Sequence, residues 1–248
     1  MHPSPLISIV TVTYNAESEL PITLKSISSQ TFHNFEHIVV DGASSDNTVP
    51  LVKDAAIPNS FLISEPDKGL YDAMNKALDL ASGEYILFLN AGDAFYDDTI
   101  LAKYARAAEN LPDIIYGDTV IVNVEGDIIG KRHLSVPQQL EFRSFAKGML
   151  ICHQAFMVKR ELTGKYDLSY RFSADYDWCV ECIRKSSPEK CVNLNTATIR
   201  FLQAGISDKN KIKSLKERFR IMCRHYGFMP TLTNHLLFAG RAIKRKKL

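Results

Sequence analysis

The feature that most constrains this chain is the regular alternation of short β-branched runs with amphipathic stretches over its first 110 residues. Leu6–Thr13 alternates β-branched residues and reads as a strand, and Glu17–Gln30 then carries Leu20, Leu24 and Ile27 at helical spacing. The pairing recurs three times: His37–Val40 with Asp46–Ala56, Phe61–Ser64 with Leu70–Ala81, and Glu84–Leu89 with Asp97–Glu109. Strands this apolar are covered on both faces, and strands separated by helices run parallel. The expected fold class is therefore α/β, a single Rossmann-like domain with a mostly parallel central sheet.

After Leu111 the pattern changes. Asp113–Gly117 and Thr119–Lys131 read as strands, with a hairpin turn at Glu125–Gly126. A helix is expected around Pro137–Ala146 and another over Ala174–Lys185, and Cys191–Phe201 is rich in strand formers. Two basic helices follow, parted by Gly227–Pro230. The expected organisation is one domain over residues 1–207, with a ligand-binding half at 1–110 and a second half at 111–207. Residues 208–248 form a basic amphipathic tail.

Charge is distributed unevenly. Twelve Lys or Arg against two acidic residues give Asp208–Leu248 a net +10, so the first 207 residues carry −8 of the overall +2. A basic tail on an acidic body suits an anionic membrane surface, with a solvated helix end as the alternative. Nucleic acid is not expected, because no aromatic residues are interleaved with the basic run as stacking platforms. The five cysteines are odd in number and lie from Cys152 onward, which excludes a disulfide framework. Cys179 and Cys182 form a C-x-x-C, read as two thiols on one helix face, since Cys191 and Cys223 fall at no usual zinc spacing. No stretch approaches the roughly 18 apolar residues that span a bilayer. Ser8 and Thr11 interrupt the first apolar run, so a signal peptide is not expected and a cytoplasmic protein is.

Ligands of open α/β sheets bind beyond the carboxyl ends of the strands. The four strands end in Thr13-Tyr14-Asn15, Asp41-Gly42, Glu65-Pro66-Asp67 and Asn90-Ala91-Gly92-Asp93. Each loop alone is explained as a turn; four in succession, each delivering a carboxylate, amide or hydroxyl to one edge, point to a ligand. Neither G-x-G-x-x-G nor G-K-[ST] occurs, which removes the main support for dinucleotide oxidoreductases and P-loop enzymes. For a nucleoside diphosphate, Asp41 can accept from a base N–H and Asp93 can hold a hard divalent cation.

Ser8–Asn15 (SIVTVTYN), Ile38–Thr48 (IVVDGASSDNT), Glu65–Lys76 (EPDKGLYDAMNK) and Gly83–Asp93 (GEYILFLNAGD) resemble, in order and spacing, the family 2 inverting glycosyltransferases of GT-A fold. The resemblance is closest to bacterial enzymes of capsule, colanic acid or O-antigen assembly, the WcaE-like group. It implies a nucleotide diphosphate-sugar donor, a lipid-linked glycan acceptor, Mg²⁺ or Mn²⁺, and a peripheral place on the inner face of the plasma membrane. Thr13, Tyr14 and Asn15 would lie against the nucleoside and its phosphates, and Asp41 would bind the base. Asp67, Asp72 and Asn75 would border the donor sugar and ribose, while Met74 and Leu78 read as core. Many relatives carry D-x-D-D after the fourth strand; here Asn90 to Asp93 keeps one carboxylate, so Asp93 is the expected metal ligand, aided by the Asn90 amide.

Arg171–Trp178 (RFSADYDW) resembles the segment bearing the family's catalytic Asp, which makes Asp175 the expected general base, with Asp177 as the fallback. Cys152-His153-Gln154 is similar to an acceptor-side segment in which His153 and Gln154 would face the acceptor or the diphosphate. For His153 a buried, hydrogen-bonded ring is the alternative. Gln203–Ser207 resembles a loop that closes over donor phosphates, with Ser207 as its contact. Two rivals stay open: a sugar-1-phosphate nucleotidyltransferase, disfavoured because Val12–Glu19 lacks Gly, Lys and Arg, and a GT-A pseudoenzyme, kept alive by the thin Asn90–Asp93 motif.

Overall fold

The computed structural model of the chain describes residues 4–203 and 210–245. Strands β1 (Ile7–Thr13), β2 (Phe35–Asp41), β3 (Ser60–Ser64) and β4 (Tyr85–Phe88) alternate with helices α1 (Leu20–Ser28), α2 (Thr48–Asp54) and α3 (Leu70–Leu80). Their spatial order is β3-β2-β1-β4 and every pairing is parallel. All residues of β1, β2 and β4 are buried, as strands covered by helices on both faces must be.

The sheet continues through β8 (Phe156–Lys159), β6 (Ile114–Val122), β9 (Cys191–Leu202) and the two-residue β5 (Ala94–Phe95), with β7 (Ile128–Lys131) hairpinned onto β6. Here the pairing is mixed: β8 runs antiparallel to both neighbours, β6 and β9 are parallel, and β5 is antiparallel to β9. Helix α4 (Ile100–Ala108) follows β5, and α5 (Ala174–Lys185) precedes β9. The chain thus leaves β4 in the middle of the sheet, passes Asp93, and joins the far edge as β5. That crossing brings the turn after β4 beside the end of β9.

The structure corrects three expectations. The segments expected on either side of Asp118 are one strand, β6, whose register with β9 shifts at Asp118. The helix expected over Pro137–Ala146 is only a 3₁₀ turn, Phe142–Lys147. Its first half cannot wind, because the Pro137 and Gln138 carbonyls accept from the Tyr116 hydroxyl (3.0 and 3.2 Å), and Pro137 also accepts from Asn193 Nδ2 (3.0 Å). In the tail, α6 (Lys211–Tyr226) and α7 (Phe228–Arg245) are parted by Gly227 alone. Pro230 sits in the first turn of α7, where a missing N–H costs nothing.

The apolar stripe expected along α6 is divided. Ile221 and Met222 are buried in the domain, Phe219 packs edge-on against Phe228 and His235, and Ile212 and Leu215 face solvent.

Candidate active site

Because β1, β2 and β3 are parallel and in register, Thr13, Asp41 and Ser64 fall side by side at their carboxyl ends. Thr13 Oγ1 donates to Asp41 Oδ1 (3.0 Å) and Ser64 Oγ to Oδ2 (2.6 Å). Ser44 adds its N–H to Oδ2 (2.9 Å) and its hydroxyl to Oδ1. Burial alone would raise the Asp41 pKa; the hydrogen bonds from Ser44, Ser64 and Thr13 outweigh it and hold the carboxyl below its ordinary value. A carboxylate offers about four lone-pair positions, and here all are used. Acceptance of a base N–H therefore requires Ser44 or Ser64 to turn its hydroxyl away.

Ser44 also accepts from the Asn15 N–H (2.8 Å), and Asn15 Oδ1 takes the Ser45 N–H (2.9 Å). With φ at 47°, Asn15 reverses the chain here, leaving the neighbouring Tyr14 ring two-thirds exposed at the edge. Asp67 and Tyr14 close on Gly42, where an added Cβ would lie 2.6 Å from Asp67 Oδ2 and 3.3 Å from Tyr14 Cδ2. Only glycine lets the β2 and β3 loops approach this closely.

Asp67 Oδ1 accepts the Gly69 N–H (2.7 Å) and Asp72 Oδ2 the Lys68 N–H (3.0 Å), so both carboxylates shape the turn into α3. Asn75 is used up differently: Nδ2 donates to the Tyr166 carbonyl (3.0 Å) and Oδ1 accepts the Tyr166 N–H (2.7 Å). Its amide fastens α3 to the second half of the domain.

Asp93 is buried at the end of the turn after β4. Its Oδ2 accepts from Gln154 Nε2 (2.9 Å) and its Oδ1 from the Leu202 N–H (3.0 Å). Burial pushes its carboxyl up to about 7, and these two hydrogen bonds recover only part of the cost. Gly92 has φ +94°, and an added Cβ would stand 2.9 Å from Leu202 Cδ2, so the third residue of this turn cannot carry the carboxylate of a D-x-D-D pattern without strain.

Among the described residues no cluster of three His, Cys, Asp or Glu side chains is assembled for a metal. The oxygens on offer are the Asp93 carboxylate and Asn90 Oδ1, which is buried without a hydrogen-bond partner. One carboxylate and one neutral oxygen fit Mg²⁺ or Mn²⁺ whose remaining positions go to phosphate and water.

Asp175 stands in the first turn of α5 and accepts from the Tyr71 hydroxyl at Oδ1 (3.1 Å). The fallback, Asp177, is committed elsewhere: it is buried, bonded to His225 Nε2 (2.7 Å) and near Arg224 Nη1 (3.6 Å) of α6. His153 follows its buried alternative, with Nε2 and the Tyr166 hydroxyl hydrogen-bonded (2.7 Å) and the ring stacked on Phe88 at 4.8 Å. Burial lowers its pKa to about 4, despite the opposing pull of Asp175, so it is neutral near pH 7. Gln154 supports Asp93 and accepts from Cys152 Sγ (2.9 Å). Gln154 thus faces the Asp93 carboxylate, while His153 bonds Tyr166, the ring stacked on the Tyr71 that donates to Asp175. Ser207 lies outside the described residues, as do Lys246 and Lys247 of the terminal basic run.

Several functional contacts carry no signal in the residue pattern. Glu217 of α6 accepts the Arg171 and Phe172 N–H groups (2.9 and 2.8 Å), just before α5, and Ser214 bonds Ser173 (3.0 Å). The tail is thus fastened to the entry of α5. Ser64 is legible only through its register with Asp41, and Tyr71 only through its place in the EPDKGLYDAMNK segment.

A parallel half ending in a polar edge, continued by a mixed half that returns the Asp175 carboxylate toward it, is the GT-A arrangement of glycosyltransferases. Residues 8–166 match the model of "Glycosyl transferase family 2", and the chain belongs to that family. It is 37% identical over 188 residues to a PGL/p-HBAD biosynthesis glycosyltransferase of Mycobacterium bovis (strain BCG / Pasteur 1173P2), covering 72% of this chain and 70% of that protein. It is 29% identical over 222 residues to the UDP-Glc:alpha-D-GlcNAc-diphosphoundecaprenol beta-1,3-glucosyltransferase WfgD of Escherichia coli, covering 88% and 85%. Among solved structures, S. aureus TarS 1-349 superposes with a TM-score of 0.71 at 16% identity over 94% of this chain and 72% of that one. The mannosyltransferase PcManGT of Pyrobaculum calidifontis, in complex with GDP-Man and Mn²⁺, gives 0.64 at 18% identity over 94% and 70%. At these identities the structural likeness is one of fold.

Proposed function

We propose that this glycosyltransferase works with inversion, moving a hexosyl group from a nucleoside diphosphate-sugar to a lipid-linked glycan in bacterial surface polysaccharide synthesis. The observation that carries the reading is the pair of carboxylates held by side chains of the domain: Asp93 by Gln154, and Asp175 by the Tyr71 hydroxyl. Asp175 takes the proton from the acceptor hydroxyl as that oxygen attacks the anomeric carbon. The bond from that carbon to the diphosphate breaks, the nucleoside diphosphate leaves, and a single displacement inverts the centre. Asp93 and Asn90 would hold a divalent cation, which would supply positive charge to offset that of the leaving diphosphate. Tyr14 lies along the nucleoside, Thr13 and Asn15 support the loop beneath it, and Asp41 accepts from the base once a serine hydroxyl turns away. Asp67 and Asp72 border the sugar and ribose. The donor named for the Escherichia coli relative supports uridine as the base and a diphosphate-linked lipid as the acceptor anchor.

A thermal-shift panel of UDP, GDP, CDP and dTDP, each with and without Mn²⁺, tests the donor site. UDP with Mn²⁺ at a hundred times its dissociation constant is expected to stabilise the fold by about 2.7 kcal/mol, or roughly 5–10 °C for a domain of this size. No shift with any nucleotide would remove the donor assignment and favour a pseudoenzyme.

For the acceptor side we propose peripheral attachment to the inner face of the plasma membrane through the tail. Among the described residues no helix is long and apolar enough to cross a membrane. Phe228, Met229, Leu232 and Leu236 are exposed at helical spacing on α7, while Thr231 is buried and Asn234 Nδ2 donates to the Ala146 carbonyl (2.8 Å). An apolar stripe beside a run of Lys and Arg suits the interface of an anionic leaflet. The doubly substituted Met229→Glu, Leu236→Glu protein is expected to lose co-flotation with phosphatidylglycerol vesicles while keeping its fold. Undiminished flotation would end this assignment.

A further inference from the structure

We propose that Tyr71 is the positioning residue of the general base: its hydroxyl, presented by the first turn of α3, fixes the orientation of the Asp175 carboxylate. The inference rests on Asp175 being the base and adds what orients it. Tyr71 Oη donates to Asp175 Oδ1 at 3.1 Å, and among the described residues Oδ2 makes no hydrogen bond. One oxygen is therefore held and the other is left for the acceptor proton.

The phenol is itself held rigidly from both halves of the domain. Its ring stacks on Tyr166 (5.6 Å between centroids, 22° between planes), and Tyr166 stacks on Trp178 of α5, the base's own helix (5.2 Å, 11°). Asn75, four residues along the same face of α3, grips the Tyr166 backbone through two hydrogen bonds. The three rings and the Asn75 clamp set the distance from α3 to α5, and the Tyr71 hydroxyl lies across that gap. A segment whose carboxylates serve the donor side thereby reaches over to the base.

Burial, then the charge of Asp175, push the Tyr71 phenol well above its ordinary pKa, so it stays a donor at every working pH. The other titratable groups that feel this pair are His153, Tyr166, Cys179 and the Glu217 carboxyl on α6. Burial keeps the first three neutral near pH 7, so none supplies a cation to steady the carboxylate.

Tyr71→Phe keeps the stacked ring and removes only the O–H. In the full-length enzyme its plateau kcat should fall by about tenfold, with the donor KM unchanged. In the Asp175→Asn background the same change should have no further effect on the residual rate, because the group it acts through is gone. An unchanged plateau kcat, a raised donor KM, or an equal loss in both backgrounds would overturn the proposal and leave Tyr71 a packing residue. Full activity of Asp175→Asn alone would instead remove the base reading on which it stands. Should Tyr71→Phe fail to fold, a fluorinated tyrosine placed at position 71 alters the strength of the same donor and is expected to change the plateau kcat with the donor KM unmoved; an unchanged kcat would again refute the assignment.

Discussion

Asp175→Asn is expected to bind UDP and Mn²⁺ as the parent does while turnover falls by about 10²- to 10⁴-fold, the usual contribution of a general base. The separation of binding from rate follows from the geometry. An asparagine in the same rotamer keeps an oxygen to accept the Tyr71 hydroxyl, so the stacked rings and the start of α5 have no reason to move. What it loses is the ability to take a proton from the acceptor. Asp177 cannot take over: its oxygens are engaged by His225 and Arg224, and it holds α6 against α5. Single-turnover kinetics with the acceptor, paired with the thermal shift by UDP and Mn²⁺, measure the two quantities separately. Transfer at the parent rate would take the base away from Asp175.

Asp93→Asn is expected to lose the Mn²⁺-dependent shift and, in metal-free protein, to unfold at a higher temperature than the parent above pH 7. Burial raises the Asp93 carboxyl from its ordinary 3.8 to about 7. Between those values the folded chain keeps the proton and the unfolded chain has released it. The cost to stability therefore grows as pH rises through the window and is constant above it. The gap is worth on the order of 4 kcal/mol. Two histidines act in the opposite sense: burial lowers His37 and His153 to about 4, so their contribution is lost as pH falls from 6.5 toward that value.

The difference between variant and parent isolates Asp93 from the histidines. It should be greatest near pH 8 and close to zero by pH 4. Asparagine can still accept the Leu202 N–H, with the Gln154 amide turning to accept from the new Nδ2 at the expense of its Cys152 contact. Equal melting temperatures at pH 8 would show that the carboxyl carries no such cost. The prediction casts Asp93 as a group that destabilises the empty protein and is relieved when a cation and a diphosphate arrive.

How much of this was legible beforehand depends on the range over which each feature is decided. The alternation of strands and helices to Ala108 is a local matter, because a period of two or 3.6 apolar residues selects the element that buries them. The ends of β1, β2 and β4 were readable for the same reason, and with them Thr13, Asp41 and the Asn90–Asp93 turn. The expected helix at Pro137 failed because Tyr116 and Asn193, remote in sequence, claim the carbonyls it needed. Family resemblance singled out Asp175, but not the company it keeps.

The sequence by itself determined the α/β class, the parallel first half, the polar sheet edge and the basic tail, since each rests on the spacing of residue types over a few turns or one strand. Only the tertiary structure decided what those residues do to one another. Asp41 is saturated because three parallel strands in register bring Thr13 and Ser64 to the carboxylate that Ser44 already bonds twice; Tyr71 and Asp175, 104 residues apart, meet beside a stack of rings; and Leu202 reaches Asp93 from 109 residues away. The Glu217 side chain ties the tail to the entry of α5 by accepting two backbone N–H groups. Contacts of this kind depend on angle and distance between elements, set by packing of the whole core, and periodicity along the chain carries no record of them.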